Sequence, residues 1–290
     1  MLEVKKVKTR DNEFLDFAYQ SDKSIRELYY IGELPKKHMP AVTIIGSRKP
    51  TPYGKEITLR LAESLAQRGV IVISGLALGH DALAHEGALN GGGVTVAVLG
   101  TPLPTITPAT NRGLGERILQ SGGAIISEIA EIERNTKVFY KTTFLRRNRI
   151  VAALADVVIV VEASRYSGTL NTVRHALSQG KEVMAVPGNV TSPLSEGCNR
   201  LIQQGATPLL ELGDVLEKLG VVDKSKKPVK IKFADKNEEK VYGFISEGVR
   251  EGNELQEKSG LSPSEFNMTL TMLEIKGLIR NLGANNWGAK

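Results

Sequence analysis

A doubly wound α/β domain with a mostly parallel sheet, followed by a small winged helix-turn-helix, is the fold class that three features of the sequence predict. Short β-branched runs alternate with helical patterns from residue 41 to about 220, which is the rhythm of βαβ units. Glycine-rich loops follow several of those runs directly. A lysine-rich break at 221–240 then gives way to three short helical patterns and a glycine- and asparagine-rich tail.

The predicted strands are Ala41 to Ile45, Val70 to Ser74, Val94 to Leu99, Ala124 to Ser127, Val157 to Glu162 and Glu182 to Val186. Nearly all are apolar on both faces, as strands covered by helices above and below must be. The first helix shows its punctuation plainly, with Thr51 as N-cap, Pro52 at the first helical position and Gly69 just past the end. Ile57, Leu61 and Leu65 recur every four residues and give that helix one buried stripe. The first strand is placed at residue 41, so residues 1–40 are expected to form an extension packed on the domain at 41–220, with no separate N-terminal helical domain.

Residues 221–240 carry seven Lys against four acids together with Pro228, and 221–238 is assigned as a linker. Beyond it, helices are expected over Glu238 to Glu247, Glu254 to Ser259 and Pro263 to Lys276, with a hairpin from Leu278-Ile279-Arg280 into the tail. Residues 239–290 therefore form the winged helix-turn-helix. Phe266, Leu270 and Leu273 fall in its core by their spacing. With five Lys or Arg against six acids over 241–290, this module is a poor candidate for strong duplex binding, which draws on phosphate neutralisation.

The loops carry the functional signal. A glycine directly after a parallel strand allows a tight turn and leaves amide N–H groups near a helix start, an arrangement that attracts anions. Gly46-Ser47-Arg48 fits, with a hydroxyl donor and a bidentate guanidinium. Ser74-Gly75, Gly100 and Ser167-Gly168-Thr169 follow other strands, and ligands of open α/β sheets gather at the carboxyl ends. Arg146, Arg147 and Arg149 open a helix running through Ile150 to Leu154; each either grips an anion or makes a structural ion pair. Phe144, beside Lys141 and Arg146, is either core or a ring on which a base stacks.

Several classes are excluded. The chain lacks both G-x-G-x-x-G with an acid about 20 positions later and G-x-x-x-x-G-K-[ST], so neither a dinucleotide cofactor nor a P-loop is expected. His80, Asp81 and His85 have no cysteine or further carboxylate at ligand spacing, so no metal is expected; Asp81 is assigned to orienting its loop and His85 to a helix hydrogen bond. Glu128 and Glu162 at strand ends are assigned to receiving hydrogen bonds from loop amides or from Arg147 and Arg149. The single cysteine, Cys198, rules out an internal disulfide and is expected to be small and buried. The polar N-terminus and the short apolar run at Ile150 to Val161, interrupted by Asp156, predict a soluble cytoplasmic protein with no membrane association. A formal charge of +6 and a pI near 9.2 suit an acidic partner without selecting one.

A family resemblance adds to this reading. Gly46-Ser47-Arg48-Lys49-Pro50-Thr51-Pro52-Tyr53-Gly54, Ser74-Gly75-Leu76-Ala77 through Asp81 to His85, and Ala97-Val98-Leu99-Gly100 are similar to successive blocks of the DNA-processing protein A (Smf) family. So are Arg147-Asn148-Arg149-Ile150-Val151-Ala152, Ser167-Gly168-Thr169-Leu170, Val186-Pro187-Gly188 and Gly197-Cys198-Asn199-Arg200-Leu201-Ile202. The blocks keep order and spacing over residues 28–215. The resemblance implies an extended Rossmann-like domain that binds single-stranded DNA without catalysis or cofactor and loads the RecA recombinase during natural transformation. It also implies a homodimer formed through that domain. Carried over by position, Gly46, Ser47 and Arg48 meet phosphate, Lys141 supplies charge, Phe144 touches a base, and Ser167, Gly168 and Thr169 form an adjoining loop. Departures from the family pattern are His80 at an apolar position, Thr107 for an aromatic before Pro108, and Leu145 for a proline. Two rivals remain at this point. One is a phosphoribohydrolase, whose P-G-G-x-G-T and catalytic Glu have no counterpart in Ser167-Gly168-Thr169-Leu170-Asn171-Thr172; the other is a ligand-sensing transcriptional regulator.

Overall fold

The computed structural model describes residues 2–130, 141–221, 233, 235–283 and 285–289. They fall in two compact units, residues 1–223 and residues 224–290. The first unit runs β1 (Lys5–Lys8), α1 (Glu13–Ser21), β2 (Glu27–Gly32), β3 (Ala41–Ile45), α2 (Pro52–Ala66), β4 (Ile71–Ser74), α3 (His80–Asn90), β5 (Thr95–Leu99), α4 (Arg112–Gln120) and β6 (Ala124–Ser127). It continues with α5 (Lys141–Ala153), β7 (Val157–Val160), α6 (Thr169–Ser178), β8 (Glu182–Ala185), α7 (Glu196–Gln203), β9 (Thr207–Pro208) and α8 (Leu212–Lys218).

Nine described strands make one sheet in the order β1-β2-β6-β5-β4-β3-β7-β8-β9. From β6 to β9 every neighbouring pair is parallel. The chain steps outward from β3 through β4, β5 and β6, then returns to lay β7 along the free side of β3, with Val42 opposite Val157 and Ile45 opposite Val160. This reversal defines the doubly wound topology. Side chains along β3 alternate between two cores: Ala41 and Ile45 join the cluster that α1, α5 and α6 cover, while Val42 and Ile44 join the one under α2, α3 and α8. Apolar character on both faces of the strands is therefore a consequence of helices on both faces of the sheet.

Helix ends follow the sequence punctuation. Thr51 caps α2 by accepting the Gly54 amide at 3.1 Å, with Pro52 in the first turn. Leu61 and Leu65 are buried and Ile57 packs partly buried beside them. Cys198 is buried, and burial pushes its thiol up to about 12.

One expectation is corrected. The sheet does not begin at residue 41: β1 and β2 precede it, and β2 pairs antiparallel with β6, Tyr29 lying opposite Ser127. The extension thus completes the sheet rather than only packing against it. Both outer strands are short. β1 has four residues, three of them Lys, and β9 has two and ends in Pro208.

The second unit comprises α9 (Lys236–Ser246), α10 (Gly252–Ser259), α11 (Pro263–Ile275) and a hairpin of β10 (Ile279–Gly283) and β11 (Asn286–Ala289). Its core holds Val241, Ile245, Leu255, Phe266, Leu270, Leu273 and Ile279. Gly260, left-handed at φ 65°, ends α10, and Ser262 with Glu265 forms a capping box that starts α11. Three helices and a β wing are thus built from local signals.

His85 on α3 is fully buried, and its Nδ1 lies 2.7 Å from Thr95 Oγ1. Because the Thr95 hydroxyl donates to Val72 O at 2.7 Å, Nδ1 carries the proton and donates. Burial, aided by the Arg147 charge, pushes the His85 pKa down from 6.5 to about 3. Between those values the unfolded chain binds one proton more than the folded one, so stability falls as pH falls below 6.5. His85→Asn should remove this dependence. Chemical denaturation at neutral pH and near pH 5 should show about 2 kcal/mol of it in the wild type, since each unit is worth about 1.4 kcal/mol.

Candidate nucleic-acid interface

The strand-order reversal forces the loops after β3 and β7 apart, one leading to a helix on each face, and opens a crevice between them. A cleft of about 620 Å³ occupies that crevice. The β3 loop contributes Gly46, Ser47 and Arg48, the β4 loop Gly75 and Ala77, the β7 loop Ser164, Ser167 and Gly168, and the start of α6 Thr169 and Thr172. The fourth wall is α5, through Phe144, Leu145, Arg147 and Asn148.

Close approaches hold the β3 loop. A Cβ on Gly46 would strike the imidazole of His80, and one on Gly79 would strike the Ser47 carbonyl. The Ser47 amide donates to Glu162 O at 2.9 Å, and the His80 amide to Ser47 O at 3.2 Å. The Ser47 hydroxyl is used locally, accepting the Lys49 amide at 3.1 Å, so it stiffens the turn. Arg48 is exposed, and its guanidinium has no hydrogen-bond or ion-pair partner among the described residues. From the other side Thr169 Oγ1 donates to Gly46 O at 3.1 Å and accepts from Ser167 Oγ at 2.9 Å, tying the β7 loop to the β3 loop.

Beneath the β3 loop lies a buried polar group centred on Glu162. Its carboxylate accepts the Thr51 amide at 2.9 Å and the Thr51 hydroxyl at 2.5 Å, and meets His80 Nε2 at 3.0 Å. Thr58 Oγ1 stands 2.6 Å from His80 Nδ1. Burial lowers the His80 pKa against the opposing pull of Glu162. The Thr58 hydroxyl also reaches Gly54 O at 2.8 Å, so its one proton serves either that carbonyl or Nδ1, while Nε2 donates to the Glu162 carboxylate. Here the departure at position 80 is explained, since the histidine replaces an apolar contact with polar ones.

Arg147 is buried and spans two strand ends, donating to Gly75 O at 2.8 Å and to Val98 O. Its guanidinium lies where a Cβ on Gly75 would stand. Asp81 accepts the Gly75 amide at 3.1 Å, so it orients this loop as its position suggested. Burial raises the Asp81 pKa, with Arg147 opposing. Leu76 between them is left-handed, φ 56°, an unfavourable conformation for a γ-branched residue. Asn111 restrains it by donating to Leu76 O at 2.9 Å and Ala77 O at 3.2 Å. Phe144 rests on Gly100, where a Cβ would come within 3.1 Å of its ring, and is 38% exposed.

The predicted residues thus divide. Gly46, Ser47, Arg48, Gly75, Phe144, Arg147, Ser167, Gly168 and Thr169 all line the cleft. Arg149 does not: it is buried against Glu128 and lies 3.4 Å from Asp22. Arg146 is exposed, 3.6 Å from the second oxygen of Glu128. Lys141 begins α5, and its side chain lies outside the described residues. Glu128 receives Arg149 and Glu162 receives a loop amide, the two alternatives expected for these acids, and Glu162 also meets His80. Asn148, absent from the sequence-based set, lines the cleft and donates to Asn171 at 3.2 Å. Helical spacing was the available signal: Phe144, Arg147, Asn148 and Val151 share one face, and positions 146 and 149 fall on others.

These features define a doubly wound α/β protein whose switch-point cleft is cationic and built from strand-end loops. The chain belongs to the family of DNA recombination-mediator protein A, whose model matches residues 7–220, and a model of the DprA winged helix domain matches residues 226–285. It is 42% identical over 196 residues to the protein Smf of Escherichia coli, covering 66% of this chain and 50% of that protein. The chain therefore spans about half the length of that relative. The X-ray structure of DNA processing protein A from Streptococcus pneumoniae superposes with a TM-score of 0.62 at 35% identity, covering 69% of each chain. The Helicobacter pylori DNA processing protein A, solved to describe its single-stranded DNA binding mode, superposes with a TM-score of 0.64 at 31% identity and covers 75% of this chain and 96% of its own.

Two substitutions test the internal scaffold. Gly75→Ala should expel the Arg147 guanidinium and cost about 1–3 kcal/mol by overpacking, measured by chemical denaturation. Arg149→Ala should cost about 2–3 kcal/mol by stranding Glu128 and Asp22, both partly exposed, and leave a mid-transition shift without altered ligand affinity at low temperature.

Proposed function

We propose that this protein is a recombination mediator that binds single-stranded DNA in the switch-point cleft, protects it and presents it to the RecA recombinase during natural transformation. The observation that carries the reading is the convergence of Arg48, which has no partner among the described residues, the start of α6 and the Phe144 ring on one cleft at the carboxyl edge of a parallel sheet. Phosphate suits the guanidinium and the helix N-terminus, and an unstacked base suits the half-exposed ring. Gly46, Ser47, Gly75, Ser167, Gly168 and Thr169 shape the phosphate cradle and Arg147 holds its floor, while Arg146, on a different face of α5, and Lys141, at the start of that helix, contribute positive charge without lining the cleft among the described side chains. Arg149 acts as a strut for α5.

The protein acts without a covalent step and without a cofactor. Glu128 and Glu162 are engaged in ion pairs and hydrogen bonds, Asp81 holds a loop amide, and none of the hydroxyls lining the cleft has a histidine partner among the described residues. Two copies pair through the larger unit, and the site of action is the cytoplasm; no described helix is long and apolar enough to cross a membrane. The winged helix serves a protein contact or an accessory DNA contact, consistent with its near-neutral charge over 241–290.

Arg48→Ala should weaken binding of a short oligo-dT at physiological salt and shallow the dependence of log K on log salt by about 0.7, one phosphate contact on a single strand. Anisotropy titrations against the strand, the matching duplex and mononucleotides check this. Unchanged affinity and slope would remove the cleft from the proposal.

A further inference from the structure

The turn after β7 carries a second aromatic that the sequence motifs pass over. The Ser167 amide donates to Ser164 O at 3.1 Å, closing a four-residue turn with Arg165 and Tyr166 at its two central positions. The flanking residues, Ser164 and Ser167, both line the cleft. Tyr166 is therefore carried at the cleft rim, and it is 87% exposed. The Arg165 guanidinium carbon lies 5.5 Å from its ring centroid, and Glu196, 3.8 Å from Arg165, steadies that guanidinium. One side of the ring thus has a cation and the other is open to solvent.

We infer that Tyr166, backed by Arg165, is a second base-stacking platform for the strand whose phosphates occupy the cleft. The inference rests on the single-strand reading of the cleft. Its geometry follows from the sheet. Phe144 packs at the end of β5, against Gly100, and the Tyr166 turn follows β7; β4 and β3 stand between. Three inter-strand steps amount to about 14 Å, so the two rings take different bases of one strand, one on each side of the phosphate-facing Gly46-Ser47-Arg48 loop. Stacking on an aromatic accepts any base, because every base offers a π-face, and an adjacent guanidinium adds a cation–π contribution. A strand pinned by phosphate at its middle and by a base at each rim has a fixed path across the crevice.

The test compares full-length wild type, Tyr166→Ala and Tyr166→Phe by anisotropy on a labelled oligo-dT and on an abasic deoxyribose-phosphate strand of equal length. Tyr166→Ala should lose about tenfold on oligo-dT, stay within about twofold on the abasic strand and keep the wild-type salt slope, while Tyr166→Phe should retain wild-type affinity. Equal oligo-dT affinity for wild type and Tyr166→Ala, or an equal loss on the abasic strand, overturns the platform and leaves the cleft reading standing. Failure of the wild type to bind either strand overturns both.

Discussion

The reversal of strand order between β3 and β7 is the constraint on which the rest of this molecule depends. Backbone hydrogen bonds fix β7 parallel to β3, while the chain beyond each strand must leave for the opposite layer of helices. No helix can cover the gap between two diverging connections. That gap is lined instead by backbone at strand ends, and backbone at strand ends offers amides and carbonyls with no ladder partner. The structure answers these exposed groups with side chains brought from elsewhere. Arg147 takes two carbonyls, Asp81 and Glu162 take amides, and Thr169 and Asn111 take further carbonyls. What these residues leave unanswered is the mouth of the cleft, where Arg48 projects.

Charge in the cleft is consequently layered. The deeper arginine is spent on the fold, the shallower one has no hydrogen-bond or ion-pair partner among the described residues, and the buried carboxyls Asp81 and Glu162 each accept a backbone amide. This layering explains why three arginines within four residues of α5 have three fates. Helical geometry sends Arg147 toward the strand ends, Arg149 toward α1 and β6, and Arg146 toward solvent.

Much of this was legible in the sequence because the parallel strands are apolar on both faces and because glycines mark each loop. β3 and β6 were placed to the residue, and the winged helix emerged from its three helical patterns and its spaced core. β1 and β2 were not found. β1 is a lysine-rich edge strand with little buried surface, and β2, Glu-Leu-Tyr-Tyr-Ile-Gly, pairs antiparallel with β6 and so lies outside the alternation of strand and helix that marked the parallel strands. The arginine cluster was visible as composition, but which member faces the cleft depends on helix phase, and the notice due to Asn148 was lost the same way. Tyr166 escaped because a turn residue exposed to water has no periodicity to announce it. His80 read as a departure only because its partner, Glu162, lies 82 residues away.

The two outer strands of the large sheet carry a consequence for assembly. An unpaired sheet margin is an invitation to annex another chain's backbone, and proteins commonly discourage this with lysines, brevity or proline. The lysines of β1 and the truncated, proline-ended β9 apply all three. Copies of this unit are thereby denied the cheapest route to polymerisation, ribbon growth across the margins. Any pairing between them is left to helix faces and loops, which can close on themselves after two members.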